Sequence, residues 1–144
     1  MKKILLLLIV FSFCINAQNT KFAWINDPQI ASPKQLDKLS EMIKIINAME
    51  GYDFVLVTGS ITDKGKNIEF DKVKMELDKS LKDYKIIPGA NDVVWSQTAG
   101  DYFKNIWLDD KFIHETDSIV FIGLNTHLPF NENVSFIKRT DIDW

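Results

Sequence analysis

The sequence predicts an α/β fold in which a mostly parallel sheet is flanked by helices and followed by a C-terminal antiparallel hairpin. Three short apolar segments alternate with two amphipathic segments, which gives the order strand, helix, strand, helix, strand of parallel βαβ units. The middle apolar segment, 54–58, shows no polar alternation, as expected of a strand that is buried on both faces. Two further β-rich segments, separated by a turn, predict the hairpin.

The N-terminal end of the chain has the pattern of a secretory signal peptide. Lys2 and Lys3 precede an apolar run at 4–13 that is too short to cross a bilayer, and Ala17 supplies a small residue for cleavage. A lipoprotein signal at Cys14 is disfavoured by the bulky residue that precedes it. We therefore expect cleavage after Ala17.

We expect the mature domain to span 18–144 after removal of a signal peptide at 1–17. Its composition and charge limit the functions that it can have. The full chain has 17 basic and 20 acidic side chains, and this balance argues against a nucleic-acid partner, which requires a basic face. The single cysteine lies in the predicted signal peptide, so the mature domain would fold without disulfides. We expect a secreted or periplasmic protein of the bacterial envelope, without membrane association after cleavage.

Capping and periodicity predict the first elements after the signal peptide. A strand is predicted at 21–26, and Ser32 then begins a helix, because Ser-Pro-Lys-Gln supplies an N-cap, a first-turn proline and Gln35 for the reciprocal hydrogen bond. A second helix is predicted at about 68–81 and a third strand at 85–88. The predicted apolar faces comprise Leu36, Leu39, Met42, Ile43, Ile46 and Met49 of the first helix and Phe70, Val73, Leu77 and Leu81 of the second.

The second half of the chain has weaker patterns. A polar loop that contains Trp95 is predicted after the third strand, and a short helix at about 99–107 follows. The remaining predicted elements are hairpin strands at 112–115 and 119–124, a loop at 125–134 and a helix that begins at Lys138. Such a sheet would leave one face uncovered, and we expect that face to allow self-association.

Polar residues follow each of the three predicted parallel strands. Asp27 follows the first strand, Ser60 and Asp63 follow the second, and Asn91 and Asp92 follow the third. Because ligands bind at the carboxyl ends of strands in open α/β sheets, we expect these residues to meet at one edge. One alternative is an ordinary doubly wound domain that binds a nucleotide or small anion at this edge.

The segment GSITDKGK at 59–66 is superficially similar to a nucleotide-binding P-loop. Five residues rather than four separate Gly59 from Gly65, and Asn67 stands where Ser or Thr would ligate magnesium. The sequence therefore excludes a P-loop.

Taken together, the three strand ends resemble those of calcineurin-like metallophosphoesterases of the secreted bacterial type. The family pattern is D-x-H, G-D-x-x-D-x-G and G-N-H-D, and this chain has DPQ at 27–29, GSITDKG at 59–65 and GAND at 89–92. The segment IVFIGLNT at 119–126 is similar to the strand and turn that follow in the family. The resemblance implies an αββα sandwich, of which residues 18–144 would form the N-terminal portion without the C-terminal part. It also implies metal-dependent hydrolysis of phosphomonoesters or phosphodiesters.

The resemblance also implies a degenerate metal centre. Members use two divalent ions (Mn, Fe or Zn), bridged by the second-motif Asp, and this chain has Ser60 there. Ala90 replaces an Asn ligand, and Asn91 replaces the general-acid His. Gln29 stands at a His position that is Gln in some members. We expect one ion at most, held by Asp27 and Gln29, with little or no hydrolysis of phosphate esters.

The other matched positions have supporting roles by resemblance. Asn91 and Asp92 form the degenerate third motif, Asp63 and Asp92 would orient or close loops, and Gly89 would allow a tight exit from the strand. The later histidine ligands of the family have no counterpart before Trp144. The alternative function is a non-catalytic ligand-binding or protein-binding module.

Three ring side chains remain ambiguous in the sequence. His114 lies in an apolar segment and is expected to be structural, whereas His127 follows a turn near the expected site and is assigned to its rim. Trp95 either lines a substrate rim or closes the edge of the core.

Overall fold

The computed structural model describes residues 19–144, so the predicted signal peptide at 1–17 lies outside the described residues. Three strands form a parallel sheet in the order β1–β2–β3, with bounds Phe22–Asn26, Phe54–Thr58 and Tyr84–Ile87. The α/β class and the parallel central sheet are thereby confirmed. The strand β2 has the bounds that the apolar run predicted.

Helices α1 (Pro33–Ala48) and α2 (Asn67–Leu77) connect these strands. The predicted capping box is present, because Gln35 N donates to Ser32 Oγ and Ser32 N donates to Gln35 Oε1. The main core joins alternate residues of the strands to both helices and comprises, among others, Ala23, Ile25, Val55, Val57, Leu39, Ile43, Ile46, Phe70, Val73 and Leu77.

Three residues assigned to the apolar helix faces are exposed instead. Met42 and Met49 lie at the margin of α1 and reach solvent, so the buried stripe is narrower than predicted. The helix α2 ends at Leu77, and Leu81 lies in the following turn with 77% of its surface exposed. Asn47 holds this turn, because its Oδ1 accepts a hydrogen bond from Leu81 N. The apolar periodicity from which the helix was predicted contains no information about this tertiary contact.

The C-terminal half contains more regular structure than predicted. The hairpin β4 (Lys111–Glu115) and β5 (Val120–Leu124) is confirmed, whereas the predicted loop at 125–134 is wrong. That region contains β6 (His127–Leu128) and most of β7 (Asn131–Ser135), which pair with each other. The strand β6 has only two residues, and β7 is mostly polar, so neither shows a strand pattern in the sequence. Their pairing depends on tertiary context.

Three short helices complete the fold: α3 (Ala90–Val94), α4 (Asp101–Trp107) and α5 (Arg139–Ile142). The helix α3 occupies the start of the predicted polar loop, so that prediction is wrong for these five residues. The helix α4 begins two residues later than predicted, and α5 lies where the last helix was expected. Among residues 19–144, none of the helices combines the length and the hydropathy needed to cross a bilayer.

An aromatic cluster attaches the β4–β5 hairpin to the parallel sheet. The His114 ring lies 4.2 Å from the Phe54 ring, and Phe121 packs edge-on against Phe22 and Phe54. These contacts agree with the structural role predicted for His114. The hairpin covers the amino-terminal part of this sheet face, and Trp24 farther along β1 stays 62% exposed.

Candidate functional site

The loops after the three parallel strands converge at the carboxyl edge of the sheet, as predicted. Asp27 Oδ1 accepts a hydrogen bond from Ser60 N at 2.9 Å. Ser60 Oγ in turn accepts one from Asn91 N at 3.2 Å. One residue from each strand-end loop therefore belongs to a continuous chain of hydrogen bonds.

Asp27 and Gln29 both occupy the left-handed region of backbone conformation, with φ values of 52° and 46°. Gln29 Nε2 donates to Asp27 Oδ2 at 2.9 Å, and Gln29 N donates to the Ser60 carbonyl at 3.1 Å. Left-handed residues other than glycine are strained by about 1 kcal/mol or more, and such strain is concentrated at functional sites. The conformation turns both side chains toward the same edge, where each Asp27 oxygen already accepts a hydrogen bond.

Asp92 is the buried anchor of the site. Its carboxylate is inaccessible to solvent and accepts four hydrogen bonds, from Gly89 N, Ile61 N, Thr62 N and Thr62 Oγ1, at 2.7–2.8 Å. Burial raises the pKa of the Asp92 carboxyl, and the four donated hydrogen bonds oppose this rise. Asp92 thus ties the loop after β3 to the loop after β2.

Thr62 is a site residue that the sequence analysis did not single out. Its fully buried hydroxyl donates to Asp92 Oδ1 and accepts from Gly65 N at 3.0 Å. A lone hydroxyl in a polar loop has no spacing signal of its own. Its position within the GSITDKG segment was the available clue.

Asp63 and His127 lie at the periphery of the hydrogen-bonded chain. The Asp63 carboxylate is 3.9 Å from Lys64 Nζ, and its backbone N donates to Ile30 O. His127 is in β6, and its Nδ1 is 3.4 Å from Ser135 Oγ of β7. The structure therefore places Asp63 beside the loop backbone and His127 in the neighbouring hairpin.

Lys64, in the loop after β2, and Trp95, at the C-terminal end of α3, form a rim that combines a cation with an aromatic ring. Lys64 Nζ lies 5.4 Å from the centre of the Trp95 ring, and Trp95 is 49% exposed. The exposed Phe130 is close by, because its backbone N donates to the carbonyl of Val94. Of the two roles left open for Trp95, its exposure favours the rim.

The residues at the edge do not fit a two-metal centre. Within the described range 19–144, no group of three or more His, Cys, Asp and Glu side chains could hold a metal ion. Ser60 and Asn91 offer neutral groups, and the methyl side chain of Ala90 cannot ligate. Both carboxylate oxygens of Asp27 are already engaged in hydrogen bonds.

Comparison with known proteins adds no family assignment. No family model matches the chain, and no curated protein matches its sequence.

Proposed function

We propose that this protein is an exported metallophosphoesterase-like protein with little or no hydrolytic activity and a fold of the αββα-sandwich type. The observation that carries the proposal is the chain of hydrogen bonds from Asp27 through Ser60 to Asn91. Each of these residues comes from a different segment of the three-motif resemblance. Their hydrogen-bonded meeting at one edge is the arrangement that the resemblance requires.

The low activity follows from what these positions contain. Ser60 supplies no charge to bridge two cations, and Asn91 has no proton to give to a leaving group near neutral pH. Loss of one such group commonly costs several kcal/mol of barrier stabilisation, and groups that act as a unit do not replace one another. In an active relative of this fold the substrate would be a small phosphate ester.

A single divalent ion is the most that Asp27 and Gln29 would hold. Binding would require the Asp27 carboxylate to exchange its hydrogen bond from Gln29 Nε2 for the metal. Two protein ligands make a weak site, because divalent ions such as zinc prefer three or four.

Calorimetric titration of Mn²⁺ into the purified protein, together with an assay of p-nitrophenyl phosphate hydrolysis, tests this proposal. We expect weak binding of no more than one equivalent and no turnover, and Asp27→Asn should abolish the binding heat. Asp37→Asn, which changes an exposed carboxylate of α1, is the matched control. Tight binding of two equivalents or measurable turnover would overturn the assignment of low activity.

The triple variant Ser60→Asp, Ala90→Asn and Asn91→His tests the family relation itself. Gain of Mn²⁺-dependent hydrolysis would place the defect at these three positions and support the relation. If the folded triple variant binds Mn²⁺ without hydrolysing phosphate esters, the lack of the later histidine ligands is the limiting loss. If it also fails to bind Mn²⁺, the relation loses its support.

A non-catalytic binding module is the second candidate function. It is favoured by the rim of Lys64, Trp95 and Phe130, because exposed aromatic side chains beside a cation are suited to ligand contact. Under this alternative, binding would persist in Asp27→Asn and would weaken in Trp95→Ala.

A further inference from the structure

The segment 126–144, which we call the C-terminal strap, leaves the β4–β5 hairpin and returns to the same end of it. Leu124, the last residue of β5, pairs with Lys111 of β4, and the strap begins two residues later. At the other end of the strap, α5 carries Asp141, whose Oδ1 lies 3.3 Å from Lys111 Nζ. The strap is therefore a loop that begins and ends beside Lys111.

The middle of the strap lies against the candidate site. Its strands β6 and β7 both contact α3, the helix that contains Asn91. Phe130, between these two strands, donates its backbone N–H to Val94 O at 3.3 Å, next to Trp95. The strap thus supplies Phe130 to the rim that it forms with Lys64 and Trp95.

The strap has little hydrophobic core of its own. Every residue from 126 to 144 is at least partly exposed, and apolar side chains such as Val134, Phe136 and Ile137 are 43–51% exposed. Segments with few buried apolar contacts open at a low cost in free energy, because opening exposes little further apolar surface. The anchors at its two ends therefore decide whether the strap stays closed.

The anchor at the start of the strap is Asn125. This residue is buried, and its Nδ2 donates to Asp110 Oδ2 at 2.8 Å. Its Oδ1 accepts a hydrogen bond from His127 N at 3.0 Å. One amide side chain thus joins the first turn of the strap to the residue before β4, and this end is suited to act as a fixed hinge.

The anchor at the end of the strap is the ion pair of Lys111 and Asp141. Only 16% of the Lys111 side chain and 12% of the Asp141 side chain are exposed. Lys111 Nζ also lies 4.4 Å from the centre of the Trp144 ring. Removal of one partner of a buried ion pair is strongly unfavourable, because the remaining charge is left without compensation. Such a charge would favour the arrangement in which water reaches it.

We propose that the strap is a cover of the candidate site that is hinged at Asn125 and latched by the ion pair of Lys111 and Asp141. When the latch is released, α5 leaves the hairpin, β6 and β7 leave α3, and Phe130 leaves the rim. The closed strap completes the rim, whereas the open strap exposes α3 to solvent. This inference rests on the contacts of the strap and is independent of the proposed phosphoesterase relation.

Amide hydrogen exchange of the full chain, followed by NMR, tests the latch. In Asp141→Asn we expect exchange of the Phe130 N–H to become at least about tenfold faster, because the uncompensated Lys111 ammonium favours the open strap. The matched control is Asp143→Asn on the same helix, whose partner Arg139 is 86% exposed, and it should leave Phe130 unchanged. An effect confined to 138–144, no effect at Phe130, or equal effects of the two variants would overturn the proposal.

A second variant removes the latch from the hairpin side. Lys111→Met keeps an apolar side chain and should accelerate exchange at Phe130 as Asp141→Asn does, whereas Lys104→Met, which removes an exposed ion pair with Asp101, should not. The amide of Val55, which donates to Asp83 O in the parallel sheet, reports on the whole fold and should be unchanged in every variant. Acceleration at Val55 as large as that at Phe130 would show global unfolding and would refute a separately opening strap.

Discussion

Gly59 and Gly89 pack backbone against backbone where the loops after β2 and β3 meet. A Cβ atom built on Gly59 would lie 2.1 Å from Gly89 N, and one built on Gly89 would lie 2.5 Å from the carbonyl carbon of Gly59. Because both obstacles are backbone atoms, side-chain rotation cannot relieve them. The loops approach each other only because both residues lack a side chain.

Substitution of Gly59 should separate the loops. We expect Gly59→Ala to lower the free energy of unfolding by about 3 kcal/mol or more, because the clash must displace backbone. Gly51→Ala is the matched control, because a Cβ atom on Gly51 would meet no atom within 4 Å. The φ of Gly51 is +72°, so only backbone strain of about 1 kcal/mol is expected there. Urea unfolding followed by circular dichroism measures both. Equal losses would contradict a tight contact between the loops.

The buried Asp92 should contribute strongly to stability. Asp92→Ala leaves four buried donors without an acceptor, and we expect a loss of about 3–5 kcal/mol in unfolding free energy. Asp92→Asn retains one acceptor oxygen and should cost less. A loss below about 1 kcal/mol for Asp92→Ala would show that this carboxylate does not hold the loops.

Asn47 connects the end of α1 to the turn after α2. Its Nδ2 donates to Lys79 O at 2.8 Å, and its Oδ1 accepts from Leu81 N at 2.9 Å. Asn47→Ala removes both hydrogen bonds and should cost about 1–2 kcal/mol, whereas Asn47→Asp keeps the acceptor and should cost about half as much. Thermal unfolding at a pH above the pKa range of carboxyl groups compares the two variants. Equal destabilisation would show that the hydrogen bond from Leu81 N to Asn47 Oδ1 contributes nothing.

Leu108 offers a stabilising substitution. This residue ends α4 with a φ of 72°, and 90% of its surface is exposed. Leu108→Gly should raise the free energy of unfolding by about 0.5–1 kcal/mol, because glycine adopts the left-handed conformation without strain. Leu108→Ala keeps the Cβ atom and should leave stability nearly unchanged. A gain of similar size for alanine would assign the effect to the exposed side chain rather than to the backbone.

Glu76 should make a pH-dependent contribution to the free energy of unfolding. A hydrogen bond from Lys79, whose Nζ lies 2.6 Å from Glu76 Oε1, lowers the pKa of Glu76. The contribution is therefore fully present above the unfolded pKa of about 4.3 and is lost as pH falls through the lower native value. The free energy of unfolding of the wild-type protein should exceed that of Glu76→Gln by up to about 1 kcal/mol at neutral pH, and this difference should vanish in acid. Urea unfolding across this range measures it, and a difference that does not change with pH would argue against the ion pair.

Local sequence signals predicted the first half of the fold well. The unbroken apolar run produced β2, and the Ser32–Gln35 box begins α1, because both signals act over a few neighbouring residues. The extension of α2 to Leu81 and the loop at 125–134 were wrong. In both places a tertiary partner, Asn47 in one and the facing strand in the other, decided the conformation.

The candidate site likewise has one feature that the sequence predicted and others that only the tertiary structure decided. The order of strands and helices in the sequence was enough to bring Asp27, Ser60 and Asn91 to one edge, because carboxyl ends of parallel strands share that edge. Only the tertiary structure decided what each side chain binds. The donors to Asp92 from Ile61 and Thr62 lie 31 and 30 residues away in sequence, and their direction depends on the loop backbone. Backbone conformation and contact distance at this range carry no periodic or compositional signal, so they had to be seen in the folded chain.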